Sequence, residues 1–97
     1  MSKIYTENLY KAILKLENIN EARRFFRDLL TEEEIREFSA RWQAAQMLDK
    51  QDTYVNIVKT TGLSSRTVAR ISKWLNTGKG GYRLMLNRVS HHHTSPK

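Results

Sequence analysis

The chain has no cysteine. That excludes disulfides, thiolate metal sites and a cysteine nucleophile, and it is ordinary for an intracellular protein. Long apolar runs are missing too: none approaches the roughly 20 residues needed to span a bilayer. The opening residues MSKIYTENLYK also lack the apolar segment of a signal peptide. These absences predict a cytoplasmic protein. Catalytic groupings are equally scarce. No nucleophile is paired with a base, and the adjacent glutamates Glu32, Glu33 and Glu34 would point in different directions from one helical turn. An enzyme is therefore not expected. The histidines His91, His92 and His93 lack the i, i+4 placement of a folded site, so no metal is expected.

A further absence is local. Between Val55 and Lys97 there is no acidic side chain, although the whole chain of 97 residues carries 10. Residues 1–51 hold nine basic and nine acidic side chains, whereas residues 52–97 hold eight basic ones against Asp52 alone. The whole net charge of +7 thus lies in the second half. Neutralising phosphates with such a patch supplies most sequence-independent affinity for nucleic acid.

The first half reads as a helical scaffold. Leu9, Ile13 and Leu16 recur at i, i+4 and i+7 and predict an amphipathic helix over about 6–16. Asn18, with Glu21 three residues on, predicts the start of a second helix that runs to about Leu30. Its Ala22, Phe25, Phe26, Leu29 and Leu30 offer more apolar surface than a small domain covers alone, which points to core plus a subunit interface. Thr31 and Glu34 form a capping box for a long third helix to about Asp49, with Ile35, Phe38, Trp42, Ala45 and Leu48 as its buried stripe. Asp52 is placed to cap the helix after it.

Residues 52–76, DTYVNIVKTTGLSSRTVARISKWLN, predict two short helices joined at Gly62, the helix-turn-helix pattern. Val55, Ile57 and Val58 are expected on the inner face of the first, and Val68, Ile71 and Leu75 on that of the second. Glycine tolerates the positive φ at which the first helix must stop, Leu63 plugs the corner, and Ser64 caps the second helix. The outward face then carries the expected DNA-contacting set: Lys59, Ser64, Ser65, Arg66, Thr67, Ala69, Arg70 and Lys73. Arg66 is the first candidate for a guanine contact, while Lys59, Thr67 and Lys73 suit phosphates. Thr77-Gly78-Lys79-Gly80-Gly81 lacks the preceding strand and the following Ser or Thr of a nucleotide-binding loop and reads as a turn. Tyr82 to Val89 predicts a short final helix, and residues 90–97 a disordered tail.

The stretch LLTEEEIREFSARWQAAQMLDKQDTYVNIVKTTGLSSRTVARISKWL resembles the core of the tryptophan repressor family. With the short N-terminal helices and the GGYRLML ending, the chain is most similar to the Trp-repressor-like branch of the YerC/YecD type. The resemblance covers roughly residues 5–88 and implies one all-α domain, residues 1–89, of about six helices in an intertwined homodimer. It also implies that Thr31, Arg41 and Arg70 occupy the positions that hold the family's corepressor, L-tryptophan. Two neighbours depart from the pattern: Ile71 stands where the family has a glycine that leaves room for the ligand, and Trp74 where it has a serine that binds the ligand's amino group. The expectation is therefore no cofactor, and no use of free L-tryptophan as corepressor.

Two functions remain to be separated. One is a dimeric, sequence-specific transcriptional regulator, a repressor, on a palindromic operator. The other is a non-regulatory nucleic-acid or protein interaction module with the same fold. The mixed character of Ser65, Arg66, Thr67 and Ala69 suits base reading better than a uniformly lysine-rich face would.

Overall fold

The computed structural model describes residues 3–94, with side chains over 3–90. Among the described residues there are six α-helices and no strand: α1 (Lys3–Ile13), α2 (Ile19–Leu29), α3 (Glu32–Asp49), α4 (Tyr54–Thr61), α5 (Ser65–Thr77) and α6 (Gly81–Thr94). They divide into two compact units, residues 1–36 and 37–97, the boundary falling inside α3.

The first unit is organised by local capping. Asn18 Oδ1 accepts a hydrogen bond from the Glu21 N–H at 2.9 Å, which stops the extended link after α1 and starts α2. Thr31 and Glu34 close a reciprocal box: the Thr31 N–H donates to Glu34 Oε1 at 2.9 Å, and the Glu34 N–H donates to Thr31 Oγ1 at 3.1 Å. Both caps are those the residue types predict. Neither α1 nor α2 buries a residue, however, and Tyr5, Tyr10, Leu14, Ile19 and Leu29 stand exposed.

The second unit holds the core. Ala44, Ala45 and Met47 of α3, Ile57 of α4, and Val68 and Ile71 of α5 form one cluster, with Trp42, Leu48, Val58, Leu63 and Tyr82 packed against it. Leu75 and Leu86 are buried as well. Two expected faces need correcting. Phe38 is 50% exposed, because the expected α3 stripe combines residues that pack within the chain with others that do not, and the tightly buried positions are Ala44, Ala45 and Met47. Val55 is 79% exposed, leaving Ile57 and Val58 to face inward from α4. In an eight-residue helix, one apolar side chain in the first turn cannot fix the face by periodicity.

Two ends also differ from expectation. The cap of α4 is Thr53, whose hydroxyl accepts from the Asn56 N–H at 3.1 Å. Asp52 supports it from one residue earlier, Oδ1 accepting from the Thr53 N–H and from Asn56 Nδ2. α6 runs on to Thr94, through five residues expected in a disordered tail. The one proline of the chain is Pro96, so none interrupts α6 up to Thr94. The side chains of the histidine run, and the rest of the expected tail, lie outside the described residues.

α3 ends with Gln51 at φ 66, while the Asp52 N–H bonds back to Met47 O at 3.0 Å and the Gln51 N–H to Leu48 O at 2.9 Å. This is the double closure of a Schellman end, made without glycine. Beyond it, Arg83 Nη1 bonds Asp49 Oδ1 at 2.7 Å and ties the start of α6 to the end of α3. Both side chains are partly in solvent, so the pair contributes at most about 1 kcal/mol.

Candidate nucleic-acid interface

The corner between α4 and α5 is built by backbone rules. Gly62 adopts φ 77, and its N–H bonds Val58 O at 2.9 Å to close α4 in the left-handed cap that a β-carbon disfavours. Leu63 packs against the core cluster. Ser64 then starts α5: its hydroxyl accepts from the Thr67 N–H at 3.1 Å and donates to Thr67 Oγ1 at 3.0 Å. These two residues of the expected contact set are thus already engaged in capping, while the Thr67 hydroxyl keeps its own proton to donate. Replacing Ser64 with alanine is expected to cost about 1 kcal/mol of stability. A melting curve measures this, and an unchanged midpoint would mean that the cap does not limit the fold.

Burial orients α5. Val68, Ile71 and Leu75 face the core, which leaves Ser65, Arg66, Ala69, Arg70 and Lys73 exposed on the other side. Arg66, Arg70 and Lys73 stand at i, i+4 and i+7, and among the described residues none is paired with a carboxylate. Lys59 is exposed on α4. The far end of α5 is fixed by Gly78, whose N–H bonds Trp74 O at 2.9 Å. A β-carbon there would lie 2.5 Å from that same oxygen, so the close approach requires glycine.

The residues that the resemblance assigns to a corepressor fare differently. Thr31, in the first unit, spends its hydroxyl on Glu34. In the second unit, Arg41 donates from Nη2 to Glu37 Oε2 at 2.6 Å, and its guanidinium lies 5.9 Å from the Phe38 ring centre. Arg70 belongs to the exposed face of α5. Ile71, 1% exposed, is a core residue. Trp74 is 51% exposed and lines an open groove of about 840 Å³ with Trp42, Tyr82, Met85 and residues of the turn after α5. Sequence spacing does not predict this groove, although Trp42, Trp74 and Tyr82 are three of the chain's nine aromatics other than histidine.

Tyr82 stacks on Trp42, with ring centres 6.5 Å apart. Burial pushes its phenol above the ordinary value of 10.0, and the nearby Arg41 charge pulls partly the other way. The fold therefore favours the neutral phenol. That stability is fully present below pH 10 and is lost as pH rises through the raised value. Urea melts at stepped alkaline pH should show a steeper loss for the native chain than for Tyr82→Phe. Equal slopes would assign the alkaline loss to other groups.

Among the described residues, no group of three or more His, Asp or Glu is placed to hold a metal, and no helix is long and apolar enough to cross a membrane. What the fold and this face define is a helix-turn-helix protein. The family model described as Trp repressor protein matches residues 6–90, and the chain belongs to that family. Its members are DNA-binding regulators rather than enzymes. The chain is 39% identical over 83 residues to the uncharacterised protein YerC of Bacillus subtilis (strain 168), covering 86% of this chain and 80% of YerC. It is similar to the solved structure of a TrpR-like protein from Eubacterium eligens ATCC 27750, with 35% identity, a TM-score of 0.86, and 99% and 96% of the two chains covered. A candidate Trp repressor from Staphylococcus aureus gives 36% identity, a TM-score of 0.85, and coverage of 92% and 89%. These relatives place the chain in the YerC-type, Trp-repressor-like part of the family.

Proposed function

We propose that the chain is a transcriptional repressor that binds a palindromic DNA operator as a homodimer, with α5 of each subunit in successive major grooves about 34 Å apart. The observation that carries this reading is the face of α5. Arg66, Arg70 and Lys73 project from a helix whose opposite side is locked into the core, and no acidic side chain occurs from Val55 onward to oppose phosphate. Arg66, near the helix start, is assigned to a base edge, with Ser65 and Ala69 lining the groove. Lys59, Lys73 and the Thr67 hydroxyl are assigned to phosphates, and Arg70 to the same face. Dimerisation is supported by α1 and α2, which bury no residue in the single chain and leave tyrosines and leucines exposed.

The test is selection of bound fragments from random duplex DNA. Enrichment of a two-fold symmetric motif is the expected outcome. No enrichment would favour an interaction module that binds without reading sequence.

The same reading assigns no corepressor role to free L-tryptophan. Arg41 is engaged with Glu37 and lies close to Phe38, and an indole of the chain itself, Trp74, stands where the family has a serine. Isothermal titration with L-tryptophan is expected to show no saturable heat in the micromolar range. Saturation there would overturn this part of the proposal.

A further inference from the structure

The charge balance of the first unit conceals how its carboxylates are used. Glu21 Oε1 accepts from the Glu17 N–H, and Glu34 closes the Thr31 box. Glu32 and Glu33 occupy the first turn of α3, where the helix dipole favours negative charge. The arginines of α2 are not balanced in this way. Arg23, Arg24 and Arg27 are all exposed, and with Asp28 they line a shallow recess of about 400 Å³. The one ion pair that any of them makes among the described residues, Arg27 to Glu32, spans 4.0 Å with both side chains mostly in solvent. Such a pair is easily screened.

Arg23 and Arg27 are like charges at i and i+4, an arrangement that opposes helix formation unless something offsets it. The opposite side of α2 carries Ala22, Phe25 and Phe26, which are half-buried, so the arginine side is the one turned to water. Lysine would meet an anion only as a point charge. Three planar guanidinium forks instead match the geometry of a tetrahedral oxyanion, which they can hold by paired N–H bonds. Asp28 offsets one of the three charges and leaves the recess net positive.

We propose that Arg23, Arg24 and Arg27 form a site for a phosphoryl oxyanion, separate from the face of α5. The phosphoryl group comes either from the backbone of bound DNA or from a free phosphorylated molecule. The first source rests on the DNA-binding reading above, and the second does not.

The full chain is compared with the R23A/R24A/R27A and R23K/R24K/R27K variants, circular dichroism confirming that helix content is kept. Inorganic phosphate is titrated while the arginine Nε–H signals are followed by NMR. Separately, affinity for duplex DNA is measured against salt. Saturable shifts lost in the alanine variant and weakened in the lysine variant support a free phosphoryl ligand. A salt slope that falls by about 0.9 per contact removed supports the DNA backbone. If the native chain binds no duplex, the DNA reading fails and the phosphate titration alone decides. Unsaturable shifts together with an unchanged slope overturn the site.

Discussion

Replacing Ile57 with alanine is expected to lower the unfolding free energy by about 2 to 5 kcal/mol, the range for emptying a large aliphatic site in a close-packed core. Ile57 is 0% exposed and is the buried residue of α4, a helix of only eight residues. A helix this short is marginal by itself and relies on packing against its neighbours. With Val68 and Ile71 of α5, Ile57 is among the largest fully buried side chains, so its loss falls on the packing of α4 against α5. Urea denaturation of the full chain measures the effect. A cost below about 1 kcal/mol would mean that the site collapses around the gap, or that the core is set elsewhere. DNA affinity should fall with stability, because Ser64 and Arg66 are positioned only as well as that corner is held.

Replacing Arg66 with alanine is expected to act on recognition and leave stability unchanged. The side chain is exposed, and among the described residues no carboxylate pairs with it. A two-pronged contact to guanine contributes about 1 to 3 kcal/mol of discrimination, so the variant should lose preference at one base position in each half-site. Lys73→Ala should differ in kind, weakening all sequences alike and reducing the salt slope by about 1. Base-by-base competition separates the two. Uniform loss from Arg66→Ala would make it a phosphate contact.

Much of the fold was legible because it is written in local chemistry. Asn18 with Glu21, Thr31 with Glu34, and Ser64 with Thr67 act within three residues, and Gly62 sits where a left-handed residue is required. The core face of α5 was legible for a related reason, since Val68, Ile71 and Leu75 lie on one stripe of a helix of 13 residues. What was not legible depends on packing. Val55 and Phe38 are apolar but exposed, and only the arrangement of neighbouring helices tells them from Ile57 and Ala45. The groove around Trp74 is similar, since Trp42, Trp74 and Tyr82 come from three different helices. The proposed reading face of α5 could be named from residue types, and the structure adds that Ser65, Arg66, Ala69, Arg70 and Lys73 are all exposed.

The most direct measurement of the central claim is the affinity of the full chain for a selected symmetric duplex relative to a scrambled duplex of equal length and salt. Binding to the symmetric site is expected to be at least about 10³-fold tighter, the lower end for sequence-specific readers. Equal affinity for both duplexes would contradict it.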